Sequence, residues 1–259
     1  MEAAYRLMQA IQSHPVEECR ESLVCLPEAA KKAGVRLAFS TEKHVRGSDR
    51  LFFLRSGLIA PFTEAARELN ERGWVLKIED AFRTRFMQKH LALREDIFAR
   101  IVDKVRWEVK GAKPPLELLR RRVAALIAMS PKVGTHMSGS AVDVSVHHLR
   151  DGSEVDRGAP YIELSEKTPM GSPFISRHAR ANRKAITQVM ARHGFVTYPF
   201  EFWHYNRGDA LEACLRRSRR PARYGPVDFD PSGGTVTPIA EALEPLNRLD
   251  EFAERLDQL

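Results

Sequence analysis

Two short segments hold the groups best able to do chemistry. In GTHMSGSAVDV, residues 134–144, His136 stands seven residues before Asp143, and in EFWHY, residues 201–205, Glu201 stands three before His204. A catalytic zinc site takes three protein ligands of the imidazole and carboxylate type and keeps a fourth position open to water. His136, Asp143 and His204 supply such a set, for one zinc ion per chain. Water beside a bound metal becomes acidic enough to ionise near neutral pH, and a neighbouring carboxylate can take its proton and pass it to a leaving amine. Glu201 is the candidate for that work. In a regular strand Glu201 and His204 would face opposite ways, so the pairing requires a bulge or turn within EFWH. Gly139 and Ala141 suit a loop whose backbone must come close to ligands. Taken one at a time, each residue also has a plainer reading. A histidine on an apolar strand is commonly a hydrogen-bonded core residue, Asp143 could cap a turn, and Glu201 could sit on the surface.

Positioning four side chains from distant segments needs a scaffold, and the hydrophobic pattern outlines one. Tyr5, Met8 and Ile11 recur at helical spacing over residues 2–12. A second helix is expected from Thr63, acting as its cap, to the stop at Gly73. WVLKIEDAF then alternates as a half-buried strand. Helical periodicity runs over 84–109, and again through LELLRRRVAALIAM until Ser130–Pro131 ends it. SAVDVSV alternates, with Val142, Val144 and Val146 opposite Ala141, Asp143 and Ser145. Turn-rich residues 150–173 read as loop. Ser176 caps a helix closed by Gly194, and FVTYPFEFWHY follows as a strand. YGPVDFDPSGGTVTP reads as an extended or irregular link. The last segment puts Leu243, Leu246, Leu249, Phe252 and Leu256 on one helical face, able to pack on the body or on a partner. The expected fold is α+β: a small, mostly antiparallel sheet carrying the metal site, packed with helices, plus a C-terminal helix. Residues 1–228, N-terminal helix included, are expected to form the catalytic domain, and 229–259 a linker and C-terminal helix.

HxxGxAxD (His136, Gly139, Ala141, Asp143) together with ExWH (Glu201, Trp203, His204) resembles the zinc D-alanyl-D-alanine dipeptidases of the vancomycin-resistance type, within the larger family of zinc D,D-peptidases. NRKAITQVMARHGFVTYPFEFWHY looks like that family's helix and strand before the second motif, IEDAFRTRFMQ looks like its DAYRP segment, and RYGPV falls near its end. The resemblance runs, with gaps, from about residue 35 to 227. It implies that His136, Asp143 and His204 bind zinc, that Glu201 is general base and acid, and that Arg83 stabilises the oxyanion. Without it, Arg83 reads as a salt-bridge partner of Asp80 or Glu79. The chain departs from the family pattern at Gly134, where serine is usual. It departs again at Ile162, which aligns with an aspartate that meets the substrate's amino group, and at Thr84 in place of proline.

Bulk composition sets the outer bounds. With 259 residues, 43% hydrophobic and 29% charged, the chain can bury a sizeable core. Cys19, Cys25 and Cys214 are an odd count without metal-cluster spacing. No apolar run reaches the ~18 residues a membrane span needs, and Glu2 stands where a secretory signal carries basic residues, so a cytoplasmic protein with no membrane partner is expected. The net charge of +7 is densest at RRSRR (216–220) and RRR (120–122). Solvated helix faces account for these runs, and no nucleic-acid partner is expected without a reading element beside the charge. His147 and His148 are read as surface or supporting histidines, and His193 as a partner of a helix C-terminus. The expected activity is zinc-dependent hydrolysis of D-Ala-D-Ala or a related small peptide containing D-amino acids, as in cell-wall metabolism. The competing readings are a carboxypeptidase for longer wall peptides and a metal-binding scaffold that works through partners. The C-terminal helix offers a surface for homo-oligomerisation.

Overall fold

A computed structural model describes residues 1–259. Along the chain come α1 (Glu2–Ser13), β1 (Leu23–Cys25), α2 (Leu26–Ala33), β2 (Leu37–Phe39), β3 (Phe53–Arg55), α3 (Ser56–Glu71) and β4 (Trp74–Asp80). The helices α4 (Arg85–Leu91), α5 (Glu95–Glu108) and α6 (Leu116–Ala124) precede β5 (Ala141–His148) and α7 (Arg177–Arg192). Then follow β6 (Val196–Thr197), β7 (His204–Asn206), α8 (Ala210–Leu215), β8 (Val227–Asp230), β9 (Thr235–Pro238) and α9 (Leu249–Asp257). The central sheet has the order β2-β4-β5-β7-β6 and is antiparallel except for the β2–β4 pair. Two small antiparallel pairs, β1–β3 and β8–β9, lie outside it. The fold is α+β with a mostly antiparallel sheet.

The two faces of this sheet differ in chemistry because strand side chains alternate. Leu76 and Ile78 of β4 join Val142, Val144 and Val146 of β5 in a core closed by Phe62, Ala66 and Leu69 of α3 and Ile186, Val189 and Met190 of α7. Each such side chain contributes about 1.5–3 kcal/mol when fully buried. That face therefore holds the sheet, and the opposite face is free to carry Asp80, Asp143 and Ser145. Above the polar face sits a second core, made by Ile97, Phe98, Ile101 and Val105 of α5, Leu119 and Val123 of α6, and Phe252 and Leu256 of α9.

Several elements depart from the sequence pattern. Thr63 does not cap α3, which begins at Ser56; it lies buried in mid-helix with its hydroxyl donating to Ile59 O and Ala60 O at 3.0 Å. Pro61 looks like a barrier in the sequence but sits inside the helix, where its missing N–H removes one backbone bond that packing outweighs. The periodicity over 84–109 conceals a break: Thr84 caps α4, accepting from Met87 N, and Arg94 starts α5 in an extended conformation. Both helices bury residues on the same core, so the apolar pattern continues across the gap. FVTYPFEFWHY is two strands joined by a turn. YGPVDFDPSGGTVTP contains the β8–β9 hairpin, in which Asp228 lies opposite Thr237. The helix α9 turns Phe252 and Leu256 into its own chain's core. No helix is long and apolar enough to cross a membrane.

Candidate metal centre

Three backbone devices bring the donors together. In the β5–β7 ladder Asp143 lies directly opposite His204, which places both side chains on the polar face. A register shift between Ile78 and Asp80 brings Asp80 opposite Asp143 on the other side, so three polar residues form a row across the sheet. His136 arrives from a 3-10 turn, Thr135–Ser138, ended by Gly139 at φ +66°. At this φ a side-chain-bearing residue is strained, and a Cβ on Gly139 would also fall 2.3 Å from Leu23 Cδ2 and push that side chain aside, so glycine is strongly favoured here. The fully buried Arg55 clasps this loop: its Nε donates to Ser138 O at 2.6 Å and its backbone N to Gly139 O at 2.9 Å. The turn between β6 and β7 contains Glu201, Phe202 and Trp203, with Tyr198 N donating to His204 O at 3.0 Å. It supplies the bend that lets Glu201 and His204 share one side. Arg183 and Arg157 brace this turn, their guanidinium carbons 3.9 and 4.8 Å from the Phe202 ring centroid.

Donor atoms of His136, Asp143 and His204 all lie within 4.8 Å of one another, and all three residues are buried. His136 Nδ1 donates to Ala81 O at 2.5 Å, which leaves Nε2 a lone pair. His204 Nε2 meets Thr135 Oγ1 at 3.2 Å, and with its proton there Nδ1 is likewise an acceptor. Those two nitrogens are 3.3 Å apart, and each lies 3.0–3.3 Å from Asp143 Oδ1. Three acceptors facing one another call for a cation between them, and two imidazoles with a carboxylate fit zinc. Burial alone would raise the Asp143 carboxyl, yet His136 and His204 hold it well below the usual range. Burial lowers His204, keeping its imidazole neutral as a metal ligand must be.

Around this group the charges are tightly ordered. Arg83 donates through Nε to Asp80 Oδ2 at 2.7 Å, through Nη1 to Gln88 Oε1 at 3.3 Å and through Nη2 to Asp143 Oδ2 at 3.2 Å. The Asp80 salt bridge and a place at the centre are thus both true of it, while Glu79 turns instead to Ser145 and Lys77. Asp80 also takes His44 Nε2 at 3.2 Å and Arg50 at 3.5 Å. Burial opposes the charges on Asp80 and Arg83, and their mutual attraction outweighs it. Glu201 behaves in the opposite way. Burial, then the charge of Asp143, pushes its carboxyl up to about 8, with Arg83 and Trp203 pulling the other way. Both Glu201 and Arg83 line the cavity that opens over the donors.

The sequence reading missed Tyr161, whose hydroxyl donates to Asp143 Oδ2 at 3.3 Å and whose ring stands edge-on to Trp203. It comes from the turn-rich loop, where nothing in the spacing marks it. Thr135, His44 and Gln88 were also missed, although Thr135, next to His136, and Gln88, at the end of IEDAFRTRFMQ, stood inside motifs. Ile162 lines the cavity, whereas Glu163 does not. His147 turns to Gly152 O at 3.0 Å, and His193 Nε2 meets Glu68 at 3.1 Å, bridging α7 to α3. In the run 120–122, Arg120 pairs with Glu117, Arg121 with Glu2, and Arg122 with Glu2 and Glu108.

An α+β domain whose sheet presents a His–Asp–His donor set, with a glutamate and an arginine beside it, is built as a metal-site protein. The chain belongs to the D-ala-D-ala dipeptidase family, whose profile matches residues 49–221. Among curated relatives, the D-alanyl-D-alanine dipeptidase of Enterococcus faecalis is 31% identical over 71 residues, 27% of this chain and 35% of that protein. The protein of the same name from Synechocystis is 26% identical over 201 residues, 68% of this chain and 80% of that one. The chain thus spans about a third of the enterococcal relative's length. Among solved structures, the LdcB LD-carboxypeptidase aligns at TM-score 0.41 with 17% identity, over 79% of this chain and 78% of that one. The VanYB complex with D-alanine-D-alanine aligns at TM-score 0.37 with 14% identity, over 71% and 86%.

Proposed function

We propose that this protein is a zinc metallopeptidase that hydrolyses D-Ala-D-Ala or a related small peptide containing D-amino acids. The observation that carries the reading is the convergence of three lone-pair donors on one point, with a proton-hungry carboxyl and a fixed guanidinium at its edge. His136, Asp143 and His204 would hold the ion. The chemistry such an ion supplies when bound is Lewis acidity, which polarises a peptide carbonyl and makes water acidic enough to attack near neutral pH.

The chain's own residues do the rest. Glu201 accepts the proton of the attacking water and returns it to the departing amine. In the metal-free protein burial and the Asp143 charge favour the protonated Glu201. With that charge offset by a cation held by the three donors, the carboxylate is free to act as base, its affinity for the proton still above an ordinary glutamate's. Arg83, locked by Asp80 on one side and Asp143 on the other, keeps its charge without reorganising and opposes the negative charge that grows on the carbonyl oxygen. Tyr161 and Thr135 orient Asp143 and His204 through the hydrogen bonds each accepts or shares. A cytoplasmic place of action suits a free or recycled small peptide.

The test is the Glu201→Ala variant, loaded with zinc and supplied with D-Ala-D-Ala and a panel of D,D-, L,D- and L,L-peptides. Turnover of the wild-type substrate should vanish while about one zinc per chain is retained. Substantial residual hydrolysis would remove Glu201 from the mechanism. Absence of turnover by the wild-type protein on every peptide, with stoichiometric zinc, would favour the scaffold reading.

A further inference from the structure

Arg183 of α7 is buried without a carboxylate to pair with, and each of its nitrogens goes to a main-chain carbonyl. Its Nε donates to Arg157 O at 2.7 Å, Nη1 to Pro169 O at 2.7 Å and Nη2 to Lys167 O at 2.8 Å. One guanidinium therefore pins both ends of the loop from Arg157 to Pro169. Its carbon also stands 3.9 Å from the centre of the Phe202 ring, and Arg157 covers the same ring at 4.8 Å. Loop and turn are stitched together by two further bonds, Phe202 N to Thr168 O at 3.2 Å and Met170 N to Pro199 O at 3.0 Å. Phe202 is the residue next to Glu201.

Such an arrangement is a poor source of stability. A buried cation with no opposite charge beside it costs free energy, and burial, then the charge of Arg157, lowers Arg183 to about 10. What the guanidinium gives is geometry, a planar fork that fixes three carbonyls and an aromatic face at once. The metal donors hang on a different frame: Asp143 and His204 on the β5–β7 pair, and His136 on the turn clasped by Arg55. We propose that Arg183 is a positioning residue for proton transfer. Through Phe202 and the loop ends it sets Glu201 against the three donors, and the ion is held without it. This rests on the hydrolase reading above. A proton-transferring carboxylate displaced by ~1 Å loses about 100-fold in rate while binding of the peptide changes little.

The experiment compares Arg183→Lys, which keeps a cation but not the fork, with Arg183→Met, which keeps only the bulk. Readouts are kcat and KM on D-Ala-D-Ala with zinc-loaded protein, zinc affinity by chelator competition, and amide hydrogen exchange. In the lysine variant kcat should fall about tenfold or more, and further in the methionine variant, while KM and zinc affinity stay within about threefold of wild type. The amides of Phe202 and Met170 should exchange about tenfold faster, with those of β5 and β7 unchanged. Zinc affinity falling in step with kcat overturns the proposal, as does wild-type kcat in a variant whose turn exchanges faster. The lysine variant decides alone where the methionine variant does not fold. A wild-type protein idle on every peptide strikes the peptidase reading. Faster exchange at Phe202 with zinc retained then still upholds the placement of Glu201 by Arg183, and unchanged exchange overturns it.

Discussion

Glu201 and Arg83 are tuned by the same neighbour in opposite senses: Asp143 raises the carboxyl of the first and strengthens the charge of the second. Because Arg83 forks between two carboxylates, a lysine cannot reproduce it. The Arg83→Lys variant is expected to lose about 100-fold in kcat while KM changes little, a split that steady-state kinetics on the zinc-loaded variant resolves. Glu201 also leaves a mark on metal-free stability. Its carboxyl titrates near 4.5 when unfolded and near 8 when folded, so between those values the folded chain holds a proton that the unfolded chain releases. Stability must then fall as pH rises through that window. Thermal unfolding of the metal-free protein at pH 5 and pH 8 should show a steeper decline for wild type than for Glu201→Gln, and equal declines would refute the shift. At this scale the sequence was most informative. Ligating and proton-transferring residues must be of a few types, so they stand out in GTHMSGSAVDV and EFWHY. Tyr161, His44 and Gln88 did not stand out, because a hydrogen bond can be supplied from any position that folding happens to bring near.

The elements that aim these residues are the glycine-ended turn before β5 and the hairpin turn before β7. Gly139→Ala strains the positive φ and presses a Cβ on Leu23, a load that the 134–139 loop relieves by shifting, with His136 on it. Zinc affinity is expected to fall about tenfold or more, measured by competition with a chromogenic chelator, while the helical circular dichroism remains close to wild type. Strands β4 and β5 were legible because each buries one face and exposes its polar alternates to the site. The start of α3 was not, since Gly57 and Pro61 look like breakers, yet Gly57 N is taken by Glu21 Oε2 at 2.9 Å and the helix packs across both. Nor was the break between α4 and α5 visible, because the same core receives residues from both sides of it. Strands of three residues, such as β1, β2 and β3, are too short to show any period.

For the molecule as a whole, the C-terminal segment packs behind the cavity wall, Phe252 and Leu256 sharing a core with the cavity-lining Ile97 and Ile127. Phe252 stacks on Phe98 with ring centroids 6.0 Å apart, and Lys132 N donates to Ala242 O at 2.8 Å, so both the middle and the last helix of 229–259 bind the body. Phe252→Ala should lower unfolding stability by about 3–5 kcal/mol and Tm with it, read from denaturant melts. An unchanged melt would show that α9 is a removable accessory. The amphipathic pattern revealed this helix but started it too early, since Leu243 and Leu246 lie in the turns before Leu249, and it left the partner open because the same stripe serves an internal core or an interface. A last consequence follows from Asp143 standing opposite His204. Pairing in a sheet has a two-residue side-chain period, so inserting or deleting a single residue in β5 or β7 would turn one ligand to the far face and abolish the centre at a stroke. The loop that carries Tyr161 and Ile162 is anchored at its ends, where Val155 N donates to Val146 O and Thr168 O accepts from Phe202 N, but between those anchors it lies outside the ladder and has no side-chain period to keep. Descendants of this chain can therefore gain or lose residues there and acquire new diets, while the ion-holding strands tolerate almost no change of length.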